Sequence, residues 1–262
     1  MNLDLNGKTA VVCGSTRGIG RACAVALAES GASVFLFARN AERLQKVVAE
    51  LPATREQTHG YVVADFSQTE SLSKAVNDFM VSQPTVHILV NNSGGPPAGP
   101  ALEARVPEFQ QAFASHLLAA HLLVQALVPG MKQAGYGRII NIISTSVKQP
   151  IKGLGVSNTI RGAVANWAKT LAGELGPFGI TVNNVLPGAT NTERLHSLLA
   201  ARARKSGRPV EEQIQNMLET IPAGRFAEPE EIANAVAFLA SPAAAYINGI
   251  NLPVDGGRTQ CL

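Results

Sequence analysis

The stretch Thr9-Ala10-Val11-Val12-Cys13-Gly14-Ser15-Thr16-Arg17-Gly18-Ile19-Gly20 decides how the rest of the chain is read. Its first five residues are apolar or β-branched and stop at a glycine, the pattern of a short buried strand. Two more glycines follow, and Gly18 to Glu29 (GIGRACAVALAE) has a helical pattern that Gly31 terminates. Glycines at a strand-to-helix turn let the backbone bend sharply and approach a pyrophosphate with no Cβ in the way. The helix N-terminus then offers free N–H groups and a partial positive charge. A glycine triplet is common on its own. Its place between an opening strand and a helix makes it read as a dinucleotide phosphate loop.

Outward from this turn the same alternation continues to the end of the chain. Residues 33–37 (SVFLF) read as a strand, and Leu44, Val47, Val48 and Leu51 then share one helical face. A strand over 61–64, a helix carrying Leu72, Ala75, Val76 and Phe79, and a strand over 86–90 come next. The pattern predicts a long helix over 107–132, a strand over 138–143, a helix over 157–175 and a strand over 180–186. Pro229 opens a helix bearing Ile232, Val236 and Leu239, and residues 250–254 close the series as a strand. Nearly continuous apolar strands separated by helices imply an α/β fold, a doubly wound (Rossmann-type) seven-stranded parallel sheet with helices on both faces. Without linker, repeat or low-complexity tract, residues 1–262 read as a single dinucleotide-binding domain.

Residues 189–220 break the rhythm. The segment is polar, helical in pattern, and follows the carboxyl end of a strand, where open α/β sheets bind ligands. It is therefore a candidate substrate lid. From Arg194 to Arg208 it carries five basic residues (Arg194, Arg202, Arg204, Lys205, Arg208) and no acid. Such a run is either a solvated helix face or a dock for an anionic substrate handle such as a phosphopantetheine carrier.

The 262-residue chain is 46% hydrophobic and 16% charged, which is too apolar for disorder and sufficient for a sizeable core. A net charge of +3 does not argue for nucleic acid or an anionic membrane surface. No apolar run reaches ~18 residues, so neither a membrane span nor a secretory signal is expected. The three cysteines (Cys13, Cys23, Cys261) form no CxxC, and no histidines cluster at ligand spacing. Spectator thiols in a reducing cytoplasm and no metal site are the natural reading.

The spacing G-x3-G-x-G resembles the short-chain dehydrogenase/reductase family, in kind nearest the 3-oxoacyl-carrier-protein reductases. Asn91-Asn92-Ser93-Gly94 resembles that family's NNAG element, and Asp65 its adenine-contacting aspartate. Asn183-Asn184-Val185-Leu186-Pro187-Gly188 is similar to its N-x-V-x-P-G segment beside the nicotinamide, and Val254-Asp255-Gly256-Gly257 to its VDGG. The resemblance spans essentially the full chain. It implies a cofactor site made of Gly14, Ser15, Thr16, Arg17, Gly18, Ile19, Gly20, Arg39, Asp65, Phe66, Asn92, Ser93, Gly94, Arg161, Pro187, Gly188 and Thr192. No acid stands at the end of the second strand, where one would bind a ribose 2′-hydroxyl. Arg39 is there instead, with Arg17 in the glycine turn, which favours NADP(H) over NAD(H). Family members are usually homodimers or homotetramers acting on small molecules, some carried as acyl thioesters.

The family's proton-transfer residues are a serine and a Tyr-x3-Lys pair on a helix, with an asparagine upstream. Ser144 matches the serine, with Ser146 a close alternative. Aligned through Ala163-Val164 and residues 171–177, the tyrosine position holds Ser157 and the lysine position Arg161; the asparagine position holds His116. Ser144, Ser157 and Arg161 are thus the expected catalytic residues. A serine hydroxyl is a far weaker acid than a phenol, and a guanidinium does not relay protons. Two readings follow: an NADP(H)-dependent oxidoreductase with a rearranged catalytic constellation, its proton drawn from water, His116, Lys148 or Lys152; or a nucleotide-binding protein with lost or altered catalysis and a regulatory or assembly role. A Ser-His-Asp hydrolase is disfavoured because no G-x-S-x-G elbow occurs.

Overall fold

Alternating burial along the strands shows how the sequence builds its layers. In β1 (Thr9–Cys13), Ala10 and Val12 face one side of the sheet while Val11 and Cys13 face the other. The other strands are β2 (Ser33–Ala38), β3 (Gly60–Val63), β4 (Ile88–Asn91), β5 (Gly137–Ile142), β6 (Ile180–Pro187) and β7 (Asn251–Val254). A computed structural model, which describes residues 1–261, pairs them in the order β3-β2-β1-β4-β5-β6-β7, parallel throughout.

Helices cover both faces. On one side α1 (Gly18–Glu29) and α2 (Ala41–Glu50) lie with a later helix over Ala10, Val12, Leu36 and Ile88. On the other, α3 (Thr69–Ser82) packs over Val11, Phe37 and Leu89. Each fully buried Leu, Ile or Phe here contributes about 1.5–3 kcal/mol relative to exposure. The strand order reverses between β1 and β4, which opens a crevice at the carboxyl ends of the strands. The expected doubly wound seven-stranded sheet is what forms.

The chain between β4 and β5 departs from the single helix expected over 107–132. It runs as α4 (Val106–Phe113), a π-helical turn over Ala114–Leu118, and α5 (Ala119–Ala134). In the wide turn the Ala119 N–H reaches back to the Ala114 carbonyl, one residue further than α-geometry requires. That slip turns His116 into the protein, where it meets Ser93, and such insertions recur at functional sites. Residues 106–134 together are long and apolar enough to cross a bilayer. Ala119, Leu123, Val124, Leu127 and Met131 bury that apolarity against the sheet instead.

The next helix, α6 (Gly155–Leu175), starts two residues ahead of the sequence pattern. Its Gly155 N–H donates to the Gly99 carbonyl, and a Cβ at Gly155 would stand 2.3 Å from the Ala101 nitrogen. That close approach admits only glycine and pins the helix start under the loop after β4. The candidate lid folds as α7 (Glu193–Ser206) and α8 (Val210–Leu218). It is not wholly polar: Leu195, Leu199, Met217 and Ile221 form a small apolar core of their own. Finally α9 (Pro229–Ala240), capped by a Glu228–Glu231 box, completes the first face through Ile232, Val236 and Leu239.

Candidate active site

Everything expected to bind a nucleotide lies at the carboxyl edge of the sheet. Gly14 (φ +59°) and Gly18 (φ +52°) hold left-handed conformations that a side chain would strain. At Gly20 the constraint is space: a Cβ would stand 2.2 Å from the Gly14 carbonyl oxygen and 2.7 Å from Asn92 Nδ2. That Asn92 amide donates to the Cys13 and Gly14 carbonyls at 3.3 and 3.2 Å, tying the loop after β4 to the glycine turn. Ile19 packs inward on the core. Thr16 is half-buried in the turn.

Two polar features of the turn have no partner within the described residues. No side chain caps the α1 N-terminus, where Arg17 sits extended, and the wholly buried Ser15 Oγ has no hydrogen-bond partner. A buried hydroxyl without a partner costs about 1–3 kcal/mol, a cost a bound acceptor would relieve. The tight glycine turn, the uncapped helix end and this free hydroxyl fit the diphosphate of a dinucleotide.

Arg39 and Arg17 have different neighbours. Arg39 is exposed just past β2, within electrostatic reach of Asp65. Burial raises the Asp65 carboxyl pKa, but the Ser67 N–H and hydroxyl donate to it at 2.9 and 2.8 Å and Arg39 adds charge, leaving it below its ordinary value. Arg17 instead forms an exposed ion pair with Glu193, the first residue of α7. Thr192 caps that helix, accepting from the Leu195 N–H, and its methyl group approaches Gly18. The candidate lid therefore begins in contact with the glycine turn. Pro187 ends β6, and the Gly188 N–H donates to the Val254 carbonyl. A Cβ at Gly188 would stand 2.7 Å from Asp255 Cα, so the P-G and VDGG segments are mutually fitted.

The residues expected to be catalytic, with their neighbours, lie around the ends of β4 and β5. Ser144 Oγ accepts from the Ser146 N–H at 3.1 Å, and the buried Ser146 Oγ has no partner. Ser157 and Arg161 occupy successive turns of α6. Arg161 is buried, and its Nη1 donates to the Ile142 carbonyl at 3.0 Å. Among the described residues no carboxylate pairs with it. Burial, and then the charge of Arg194, push its pKa down to about 10, so it stays cationic at neutral pH. Ser93 Oγ lies 2.5 Å from His116 Nδ1. Burial, with the Arg161 charge, pushes His116 down to about 2 against an opposing backbone hydrogen bond at Gly94, so the ring is neutral. Ser93, His116 and Arg161, but not Ser144 or Ser157, line a cavity of about 20 Å³ together with Phe66, Asn91, Asn92 and Asn141. That volume is enough for one water molecule.

Sequence reasoning missed a buried amide row. Asn91 donates to Asn141 at 2.9 Å, Asn141 to Asn184 at 2.9 Å, and Asn184 to Asn251 at 2.8 Å. The four residues are in register across β4, β5, β6 and β7. The available signal was at least one asparagine in each of four mainly apolar strands. No tyrosine reaches this corner. Tyr136 donates to the Ala240 carbonyl, Tyr61 lies in the edge strand β3, and Tyr246 is exposed ahead of the amino end of β7. Cys13 and Cys23 are buried, which raises both thiols and leaves them inert.

Residues 14–259 match the family described as Enoyl-(Acyl carrier protein) reductase. The chain belongs to the short-chain dehydrogenase/reductase family. It is 35% identical to the 3-oxoacyl-(acyl-carrier-protein) reductase of Aquifex aeolicus, over 98% of this chain and 99% of the relative. It is 33% identical to the 7alpha-hydroxysteroid dehydrogenase of Escherichia coli K12, over 99% of this chain and 97% of that one. Among solved structures, L-sorbose reductase from Gluconobacter frateurii, complexed with NADPH and L-sorbose, superposes with a TM-score of 0.93. That match covers 100% of both chains at 32% identity. Membership in this family makes the chain a short-chain-type oxidoreductase by descent, on the fold its relatives share.

Proposed function

We propose that the protein is an NADP(H)-dependent oxidoreductase of carbonyl or hydroxyl compounds that works without a catalytic phenol. The carrying observation is Arg161, a buried cation without a carboxylate, one helical turn from Ser157 and bonded to the strand that leads into Ser144. Burying an uncompensated guanidinium is costly, and a fixed positive charge in a dry site is worth most where negative charge develops. Bound NADPH supplies a hydride. The phosphate loop from Gly14 to Gly20, Asn92, Ser93, Gly94, Phe66 and the edge residues Pro187, Gly188 and Thr192 hold the cofactor. Arg39 answers the 2′-phosphate, and Asp65 the adenine. The NADPH-bound L-sorbose reductase supports the same cofactor here.

Ser144 and Ser157 donate hydrogen bonds to the substrate carbonyl oxygen, and Arg161 stabilises the charge that forms on it. His116, held neutral, orients the loop after β4 through Ser93 and is not the proton source. The proton comes from water entering under the lid, residues 189–220. Small ketones and 3-oxoacyl thioesters, the latter acted on by the Aquifex relative, are the first substrates to try. Exposed apolar side chains on and near α4 (Leu102, Val106, Phe113, Leu118) support a homodimer or homotetramer.

One observation favours the second reading, a nucleotide-binding protein with lost catalysis: no tyrosine reaches the corner and its histidine stays neutral. Purified protein tested with NADPH against ketones, aldehydes and 3-oxoacyl thioesters separates the two. Turnover supports the redox reading, while NADPH binding without turnover moves the assignment to the second. Ser157→Tyr with Arg161→Lys sharpens the result. If this double variant loses the wild-type activity, Ser157 and Arg161 form a mechanism of their own. If only the variant turns over, the native chain has lost redox chemistry.

A further inference from the structure

The five basic residues of the lid do not act as one patch. Arg194 reaches back to donate to the Pro96 carbonyl at 2.7 Å, and Arg208 is ion-paired with Glu212 along α8. Arg204 and Lys205 sit exposed in the last turn of α7. Arg202 alone lines a cavity of about 860 Å³ between the lid, the loop after β5 and the C-terminal segment. Arg258, three residues past Asp255 of the VDGG segment, lines it as well, with Lys152 from the loop. Glu219 is the only acid among the described lining residues, whose side chains carry a net charge of +2.

We propose that Arg202 and Arg258 form an oxyanion-recognition subsite, which makes the substrate a carbonyl compound bearing a carboxylate or phosphate group. Three independent observations support it. Neither arginine has a carboxylate partner among the described residues, although six other arginines do. The two are close enough to repel, and burial together with the Arg258 charge lowers the Arg202 pKa. Two like charges held together in a half-buried wall are destabilising unless an anion enters between them. The same cavity is also lined by Thr145, the residue after Ser144, so it reaches the neighbour of the proposed catalytic serine. Guanidinium groups bind carboxylate and phosphate oxygens in bidentate fashion, which selects an oxyanion over a neutral polar group.

The inference rests on Ser144 marking the reacting carbonyl, and its test is a binding measurement that does not need turnover. Calorimetry at fixed salt would compare 4-oxopentanoate and 6-oxoheptanoate with their methyl esters and with inorganic phosphate. NADPH affinity would be followed by cofactor fluorescence in the same preparations. One keto acid or phosphate should bind at least about 10-fold more tightly than the esters, one charge-assisted contact being worth roughly that factor. Arg202→Gln and Arg258→Gln should each weaken that oxyanion by about 10-fold, leaving ester and NADPH affinities unchanged. Preference for keto acids assigns the group as a carboxylate, and preference for phosphate assigns it as a phosphate ester. Equal binding of acid and ester with no phosphate binding, or unchanged oxyanion affinity in both variants, overturns the subsite. Oxyanion binding without NADPH binding or turnover would leave the subsite standing and sink the redox reading instead.

Discussion

The glycine turn and the catalytic corner share one sheet edge but are built from different materials. At the turn the backbone itself is the binding surface: Gly14, Gly18 and Gly20 leave no room for substituents, and Asn92 fastens the turn to the next loop. At the corner the proposed working groups are side chains on a regular helix, with Ser157 and Arg161 one turn apart. A backbone-built site tolerates almost no exchange. A side-chain-built site can change its chemistry while the fold stays whole, as the phenol-free corner beside an intact phosphate loop illustrates.

The largest break in this contrast comes from Gly20→Val, which drives side-chain carbons into the Gly14 carbonyl and the Asn92 amide. NADPH affinity should fall by more than about 100-fold, measured by cofactor fluorescence, because the turn must open. Retained affinity would show that the turn yields easily, and the contrast would fail. A middling effect is expected from Asn141→Leu, which strands the Asn91 donor and the Asn184 acceptor in the sheet interior. Urea unfolding should show a loss of about 2–4 kcal/mol, two unsatisfied buried groups at once. An unchanged midpoint would mean that the amide row contributes nothing.

The smallest effect concerns pH. His116 titrates near 6.5 when unfolded and is pushed down to about 2 when folded, so between those values the unfolded chain binds the extra proton. Stability is therefore untouched above pH 6.5 and falls as the pH drops below it. By pH 5 the loss is about 2 kcal/mol from this one group. His116→Asn should remove that slope between pH 6.5 and 5 while matching the wild type at pH 7.5. Parallel stability curves for the two proteins would refute the buried neutral ring.

Much of this molecule was legible in local sequence. Strand and helix identities followed from apolar period, and helix α1 from its flanking glycines. The tight glycine turn could be read because its requirements are local: a missing Cβ is needed wherever the chain must bend. The placement of Ser157 and Arg161 on one helix, four residues apart, was equally visible. The helical character of residues 189–220 was readable, although their apolar core was not, because Leu195 and Met217 meet only across the turn between two helices.

Other features belong to the tertiary structure alone. A π-helical turn leaves no mark in hydrophobic period, so the burial of His116 against Ser93 could not be anticipated from an expected straight helix. The asparagine row depends on the register of β4, β5, β6 and β7, set by pairings between strands up to 67 residues apart. The lid arginines looked alike until folding sorted them into a carbonyl contact, an ion pair and a cavity wall. Sequence determined the elements and the glycine turn because those depend on nearest neighbours and on which residues carry a Cβ. Only the fold decided which charges are left without partners, because that depends on what distant segments bring beside them.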